Sequence, residues 1–325
     1  MAFSMGLFRP KMIQQAVFPG SPKFTEKDIP DLTNKVYVVT GSNTGVGFEL
    51  TRILYSANAT VYMACRTERK TLSAIEDIKT TVPGSKGRLE YLYLDLGDLR
   101  TIKPAAEVLI SKEDRLDVLF NNAGVMMPPN DVKTAQGYDM ELGTNCLGSF
   151  LFTQLLTPIL AKTAQAEAAG AVRVVWVSSM AAELYSLKYG VDMNNIKGKD
   201  YAEHPEPMAK YGNSKAGNYL HSIEYARRHQ QDGILSVAAN PGNLDSDLYR
   251  TTQKQKIPLR VGFFVFQKLL LHPLVNGAYT ELFAGLSKEL FHGESLIESG
   301  RILLNPPPKE VSGLQENFGT GVRSK

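Results

Sequence analysis

Short runs of β-branched and aromatic residues alternate with helix-length segments along most of this 325-residue chain. Most of the runs are continuously apolar, which is typical of parallel strands covered by helices on both faces. We predict strands at Lys35 to Thr40, Thr60 to Cys65, Leu89 to Leu94, Leu116 to Phe120, Val172 to Val177, Ile234 to Ala239 and, from a weaker pattern, Arg301 to Leu304.

The segments between these strands have the length and periodicity of helices. They run from Gly45 to Ser56, Thr67 to Thr80, Leu99 to Ser111, about Thr134 to Ala161, Tyr211 to Gln230 and Val275 to Leu290. Such alternation predicts βαβ units around a parallel sheet. We therefore predict an α/β fold in which an arm, residues 1–33, precedes one doubly wound domain, residues 34–325. Its strand order would be 3-2-1-4-5-6 plus a seventh strand.

Two segments exceed ordinary loop length, Met180 to Lys210 and Gly242 to Pro273. Loops of this length usually act as lids or binding loops, so the second is predicted to be a substrate loop. Its apolar side chains are Leu248, Tyr249, Phe263, Phe264, Phe266, Leu269 and Leu271. Residues on the opposite side would be Met126, Met127, Tyr185 and Tyr189. A lipophilic ligand would suit these surfaces, and core packing or a dimer contact is the alternative.

Composition narrows the class of protein. Apolar residues make up 43% and charged residues 21%, and 36 basic against 33 acidic residues give a formal charge of +3. These values are typical of a folded protein and give no electrostatic reason to expect a nucleic-acid partner. Cys65 and Cys146 and the five histidines lack metal-ligand spacing, so no metal is predicted. The sparse cysteines suit a reducing compartment, and a cytoplasmic location is expected.

No membrane-spanning helix is predicted, because Gln267, Lys268, His272 and Pro273 interrupt the longest apolar stretch, Val261 to Val275. The apolar positions of the arm are interrupted by Arg9, Pro10 and Lys11, which argues against a secretory signal. We expect the arm to fold back onto the domain. A mitochondrial presequence or a helix at a membrane surface is the alternative.

A glycine-rich stretch joins the first strand to the first helix. It reads Thr40-Gly41-Ser42-Asn43-Thr44-Gly45-Val46-Gly47. Glycines let a backbone turn tightly beside a pyrophosphate, and a helix N-terminus attracts an anion. This position predicts a dinucleotide site. The second strand is followed by Arg66 instead of an acid, which favours the 2′-phosphate of NADP(H). Ser42 or Arg69 could share this contact.

Further candidates lie where ligands bind in such folds, at the carboxyl ends of strands. Asp95-Leu96 follows strand three, and Asn121-Asn122-Ala123-Gly124 follows strand four. Strand five ends in Ser178-Ser179. Tyr211 and Lys215 stand four residues apart at the start of a predicted helix, so their side chains share one face. An ammonium beside a phenol stabilises the phenolate, which makes proton exchange easier near neutral pH.

The ordered set TGSNTGVG, NNAG, a serine after strand five and YGNSK resembles the short-chain dehydrogenase/reductase family, from Val36 to Ser246. The resemblance implies a Rossmann fold. It also implies that Gly41, Gly45 and Gly47 bind phosphate, Asp95 contacts adenine and Asn122 steadies the sheet. The catalytic residues that it implies are Asn145, Ser179, Tyr211 and Lys215, with Lys215 also binding the nicotinamide ribose. Pro241, Gly242 and Ser246 would fix the nicotinamide carboxamide.

The sequence ACR at Ala64 to Arg66 and the motif NNAGVM are similar to those of the retinol-dehydrogenase and WW-domain-oxidoreductase branch. That branch handles lipophilic alcohols, aldehydes and ketones. The lead-in resembles fungal members, some of which serve natural-product pathways. We therefore expect an NADPH-dependent carbonyl reductase or alcohol dehydrogenase. The competing hypothesis is an NADP-binding regulator or scaffold without turnover. Family members often form dimers or tetramers, and no residue pattern decides this here.

Overall fold

The computed structural model of the protein describes residues 20–129, 131–187, 190–197, 208–246 and 271–292. Within these residues, parallel strands pair in the order β3-β2-β1-β4-β5-β6, which confirms the predicted topology. The strands are β1 (Val36–Thr40), β2 (Thr60–Cys65), β3 (Arg88–Tyr93), β4 (Val118–Asn121), β5 (Arg173–Val177) and β6 (Leu235–Ala239). The described part of the chain has six strands and not the seven predicted, since Arg301 to Leu304 lies outside it.

Helices connect the strands. They are α1 (Gly45–Ser56), α2 (Glu68–Thr81), α3 (Ile102–Lys112), α4 (Ser149–Gln165), α5 (Ala181–Tyr185), α6 (Ala209–His229) and α7 (Leu274–Leu286). A π-helical segment, Leu142–Gly148, leads into α4. Most bounds lie within two or three residues of the prediction. The short helix α5 falls inside the predicted loop, Met180 to Lys210.

Both faces of the sheet are buried. Along β1, Tyr37 and Val39 pack in a core formed with α1, α2 and α7, whereas Val36 and Val38 pack in a second core formed with α3, α4 and α6. Successive side chains of a strand point to opposite faces, so a strand covered on both sides must be apolar throughout. This explains why the strand runs show no alternation.

The long helix begins later than the sequence analysis predicted. Thr134 lies in a turn closed by a hydrogen bond from the N–H of Tyr138 to its hydroxyl oxygen (3.0 Å). The helical segment starts after Asp139, whose Oδ1 accepts hydrogen bonds from the N–H groups of Glu141 and Leu142 at 3.0 Å each. A carboxylate that accepts these otherwise unpaired N–H groups is a helix N-cap, and it sets the true start.

The described lead-in packs against the domain. Leu32 is buried, and the ring of Phe24 meets that of Phe283 on α7 edge to face, with centroids 5.7 Å apart. Residues 1–19 lie outside the described part of the chain. None of the described helices is long and apolar enough to cross a membrane.

A buried carboxylate ties the start of the sheet together. Asp117 is 4% exposed and accepts hydrogen bonds from the N–H of Val36 (2.8 Å) and from two nitrogens of Arg115 (2.9 and 2.6 Å). Lys35 also lies within 3.3 Å of it. Removing the carboxylate would leave buried donors without an acceptor.

We expect Asp117→Ala to lower the free energy of unfolding by about 1–3 kcal/mol, the usual cost of a buried polar group without a partner. Urea titration measures this loss. Glu76→Ala is the control, because Glu76 forms an exposed pair with Lys79, and such pairs contribute little. Equal effects of the two changes would contradict the assignment of Asp117 as a structural tie.

Candidate active site

The glycine-rich loop between β1 and α1 has no room for side chains at two of its glycines. Gly41 has a φ of +66° and lies against Ala123, where an added Cβ would come within 3.0 Å of its atoms. At Gly47 an added Cβ would meet the side-chain Nδ2 of Asn122 at 2.5 Å and the carbonyl oxygen of Gly41 at 2.9 Å. The loop is thus held close to the residues that follow β4.

Asn122 and Thr40 join the ends of these two neighbouring strands. Asn122 donates from Nδ2 to the carbonyl oxygen of Thr40 (2.7 Å), and the N–H of Ala123 donates to the Thr40 hydroxyl oxygen (2.9 Å). The two predicted cofactor segments, residues 40–47 and 121–124, therefore form one surface. This surface lies at the carboxyl edge of the sheet, where dinucleotides bind in doubly wound folds.

The end of β2 carries an exposed cation. Arg66 follows Cys65, the last residue of the strand, and it forms no ion pair within the described ranges. Arg69 is also exposed. Ser42, by contrast, is fully buried, and its hydroxyl lies 3.6 Å from the sulfur of Cys65. Of the groups named for the phosphate contact, the arginines are the ones that face solvent.

Asp95 and Leu96 form the turn after β3. The Oδ1 atom of Asp95 accepts a hydrogen bond from the N–H of Gly97 (2.9 Å), which fixes the carboxylate beside the sheet edge. Leu96 is buried beneath the π-helical segment, and an added Cβ at Gly148 would lie 2.5 Å from its carbonyl oxygen. These residues lie at the same edge as the glycine loop.

Tyr211 and Lys215 lie in the first turns of α6. The Nζ atom of Lys215 is 5.7 Å from the centroid of the Tyr211 ring and donates a hydrogen bond to the carbonyl oxygen of Val177, the last residue of β5 (2.8 Å). Both residues are buried: Lys215 is 3% exposed and Tyr211 is 5% exposed. Because desolvation disfavours an ammonium, burial lowers the pKa of Lys215 to about 8.

Asn145 joins three segments of the site. Its Oδ1 accepts from the N–H of Val125 (2.7 Å), and its Nδ2 donates to the carbonyl oxygen of Val125 (2.9 Å) and to the hydroxyl of Ser214 (2.9 Å). The residue is fully buried within the π-helical segment, and π-helical turns often mark functional sites. An added Cβ at Gly124 would lie 3.2 Å from Lys215 Nζ and 3.4 Å from Asn145 Oδ1.

The two serines after β5 differ in what their hydroxyls do. Ser178 is 1% exposed, and its hydroxyl donates to the carbonyl oxygen of Lys215 (2.7 Å). Ser179 is partly exposed, and its hydroxyl oxygen accepts from the N–H of Ala181 (3.2 Å). The hydroxyl hydrogen of Ser179 has no acceptor within the described ranges, so it is the one that can serve a ligand.

The segment after β6 turns toward the glycine loop. Gly242 has a φ of +90°, and its N–H donates to the side-chain oxygen of Asn240 (3.2 Å). An added Cβ at Gly277 of α7 would meet side-chain atoms of Leu244, Val46 and Pro241 within 3.4 Å. Ser246 is the last described residue before a gap. Residues 247–270 of the predicted substrate loop lie outside the described part of the chain, as does Tyr189.

An apolar cluster surrounds Tyr211. Met126 and Ala181 are buried with it, and Met127, Tyr185 and Met208 pack against these side chains. Three of these residues, Met126, Met127 and Tyr185, were assigned to the substrate side from the sequence. They lie on the loop after β4 and on α5, next to Tyr211.

Two buried acids, Glu141 and Glu281, are not among the site residues predicted from the sequence. Glu141 is 1% exposed, and its Oε1 accepts from the N–H of Met127 (2.7 Å); burial raises the pKa of this carboxyl to about 7. Glu281 is fully buried on α7, and burial raises its pKa as well. The sequence does carry a signal for Glu281, because it is the one charged residue in the mostly apolar helix Leu274–Leu286. No group of three acidic, cysteine or histidine side chains in the described ranges could hold a metal ion.

Comparisons with known proteins agree with this geometry. The family model for short chain dehydrogenases matches residues 35–191. A short-chain dehydrogenase/reductase of Phomopsis amygdali is 52% identical over 276 residues, which cover 84% of this chain and 80% of that protein. The short-chain dehydrogenase/reductase sthC of Phaeosphaeria nodorum is 46% identical, and the alignment covers 88% of each chain.

Solved structures share the fold. A Mycobacterium paratuberculosis protein matches with a TM-score of 0.64 at 25% identity, covering 92% of this chain and 97% of that one. The Pseudomonas aeruginosa RhlG/NADP active-site complex matches with a TM-score of 0.60 at 20% identity, covering 82% and 93%.

Proposed function

Because this chain belongs to the short-chain dehydrogenase/reductase family, a family of oxidoreductases, we propose that it reduces a lipophilic ketone or aldehyde with NADPH, or catalyses the reverse oxidation. The observation that carries this proposal is the buried ammonium of Lys215, 5.7 Å from the ring of Tyr211 at the cofactor edge of the sheet. The sub-branch within the family stays a prediction.

The described residues fit nicotinamide adenine dinucleotide phosphate, NADP(H). The glycines at 41 and 47 leave the loop backbone bare, and Arg66 is an exposed cation at the end of β2. The N-terminus of α1 follows the loop, and the backbone N–H groups of a helix N-terminus suit a pyrophosphate. Asp95 would lie beside the adenine end of the cofactor, and Gly242 would lie beside its nicotinamide end. Lys215 would hold the nicotinamide ribose.

In this proposal, Tyr211 acts as the proton donor. The bound NADPH would supply a hydride to the carbonyl carbon, and Tyr211 would give its phenolic proton to the carbonyl oxygen. The Lys215 ammonium stabilises the phenolate that remains on Tyr211. The hydroxyl of Ser179 donates a hydrogen bond to the carbonyl oxygen of the substrate. Asn145 positions these groups through its bonds to Val125 and Ser214. Oxidation of an alcohol reverses the proton transfers.

The apolar cluster around Tyr211 supports a lipophilic substrate. Its methionines and Tyr185 present flexible, weakly polar surface, and pockets for apolar ligands are lined in this way. The relatives from Phomopsis amygdali and Phaeosphaeria nodorum agree with the fungal resemblance of the lead-in. On that resemblance, the proposal includes a place in natural-product synthesis. The substrate loop at 242–273 would complete the pocket.

Loss of nicotinamide absorbance tests the proposal. Purified protein should consume NADPH with at least one lipophilic member of a panel of ketones and aldehydes, or form it from NADP and an alcohol. A protein that binds NADPH and turns over none of a broad panel would favour the regulator or scaffold. A dehydration or rearrangement would convert substrate without a net change in NADPH absorbance.

Cofactor choice depends on Arg66 in this proposal. We expect Arg66→Ala to weaken NADPH binding about 10- to 100-fold and to leave NADH binding unchanged, because charged hydrogen bonds to a phosphate contribute roughly 1.5–3 kcal/mol. Fluorescence titration with each cofactor measures both constants. Lys103→Ala is the control, since Lys103 is an exposed cation on α3 paired with Glu107. Equal weakening of both cofactors would reject the assignment of Arg66 to the 2′-phosphate.

A further inference from the structure

The loop that follows β4 is attached at two residues to the helical segment that leads into α4. Asn145 forms hydrogen bonds with both backbone groups of Val125. About one turn earlier, Oε1 of Glu141 accepts a hydrogen bond from the N–H of Met127 at 2.7 Å. Because Glu141 and Asn145 stand four residues apart, their side chains share one face of the segment. Residues 125–127 are therefore held at both ends.

Met127 has a backbone conformation that methionine rarely adopts. Its φ is +48°, in the left-handed region. The other non-glycine residues with a positive φ in the described ranges are Asn34 and Asn58, and asparagine tolerates this region better. Such a conformation persists only where the surrounding structure imposes it. The hydrogen bond to Glu141 supplies a restraint at the residue that needs one.

The side chains of residues 126 and 127 lie beside Tyr211. Met126 is buried in one apolar cluster with Tyr211 and Ala181, and Met127 packs against that cluster. Under the proposed function, these methionines contact the lipophilic part of the substrate next to the proton donor. The backbone of residues 125–127 thus sets the distance between this apolar surface and the phenol.

The hydrogen bond also accounts for an acid in a buried position. Glu141 is almost fully buried, and a buried carboxyl group lowers stability unless it is hydrogen-bonded. A backbone N–H outside a helix or sheet likewise needs an acceptor when it is shielded from water. A carboxyl group accepts this bond in its ionised and in its neutral form, so the contact does not depend on charge.

We propose that Glu141 is a positioning residue that fixes residues 125–127 and thereby determines how well the lipophilic part of the substrate fits beside Tyr211. Asn145 holds the end of the loop that is tied to Ser214 on α6, and Glu141 holds the end that carries the methionines. Glu141 therefore acts on substrate affinity and leaves the proton and hydride transfers to the other residues. This inference rests on the proposed function, because it places the substrate against the apolar cluster.

The test compares Glu141→Leu with Glu141→Gln. Leucine removes the acceptor of the Met127 N–H, whereas glutamine keeps an acceptor oxygen. For the carbonyl compound that wild type reduces fastest, the Leu variant should raise KM about tenfold, equivalent to one lost hydrogen bond, and change kcat by less than about threefold. The Gln variant should keep the wild-type KM. Glu141→Met, whose thioether is only a weak acceptor, carries the test if the Leu variant does not fold.

Hydrogen exchange of the loop provides a second measurement that needs no substrate. The amide of Met127 should exchange faster in the Leu variant than in wild type, because its hydrogen bond is gone, and at the wild-type rate in the Gln variant. Mass spectrometry of the peptide that contains residues 125–127 follows this exchange. Titration with NADPH should give the same dissociation constant in all three proteins.

Thr163→Val is the matched control. The buried hydroxyl oxygen of Thr163 on α4 also accepts a backbone N–H, that of Leu116 at the other end of β4 (2.9 Å). Its loss should lower the thermal midpoint and leave KM in place. A wild-type KM in the Leu and Met variants, or a KM raised as much by Gln as by Leu, would overturn the inference. If wild type reduces no compound, the proposed function fails by itself, and unchanged exchange in the Leu variant would then reject the role of Glu141 in holding the loop.

Discussion

Tyr211→Phe should lower kcat by about 100- to 10,000-fold while leaving the dissociation constant of NADPH nearly unchanged. The change removes one hydroxyl, and the range is the usual contribution of a positioned general acid or base. The ring itself would still pack against Met126 and Ala181, so the fold and the cofactor surface should persist. Single-turnover reduction followed by nicotinamide absorbance measures the rate, and fluorescence titration measures binding.

Tyr225→Phe is the matched control for this change. Tyr225 is also buried on α6, but its hydroxyl meets the Thr157 hydroxyl (2.9 Å) in the second core, remote from the glycine loop. We expect this variant to lose some stability and to keep full turnover. Normal turnover in Tyr211→Phe would remove Tyr211 from the mechanism and with it the assignment of the site.

Gly47→Ala should abolish measurable cofactor binding, a loss of at least about 100-fold, and should also lower the thermal midpoint. A Cβ at this position would meet the side-chain Nδ2 of Asn122 at 2.5 Å and backbone atoms of Gly41 and Ser42 within 3.0 Å. The backbone atoms belong to the loop itself, so the contact is relieved only by moving the surface that would receive the pyrophosphate. Calorimetry and NADPH titration measure the two effects.

Gly84→Ala is the corresponding control, because an added Cβ at Gly84 meets nothing within 4 Å. It changes the same residue type in a turn at the far side of the molecule. NADPH binding by Gly47→Ala with wild-type affinity would show that the loop does not approach the cofactor as proposed.

The fold was predictable from the sequence because its signals are local. Continuous apolar runs such as Val36–Thr40 indicate buried parallel strands, and right-handed crossovers then leave few strand orders to consider. The start of the long helix was not predictable in this way. The helix was predicted to begin at about Thr134, but the carboxylate of Asp139 caps its first N–H groups and makes it start after that residue.

The sequence by itself predicted the glycine loop and the pairing of Tyr211 with Lys215, because each depends on spacing within one loop or helix. It predicted the strand order less directly, through the alternation of strands and helices and the handedness of their crossovers. The resemblance already selected Ser179 over Ser178, but only the tertiary structure showed what their hydroxyls meet. It alone also tied Asn145 to Ser214, 69 residues away. The same holds for the burial of the Glu281 carboxyl group on α7 without a hydrogen-bond partner in the described ranges. Such contacts join segments that are distant in the chain, and no local pattern encodes which side chains meet when those segments pack.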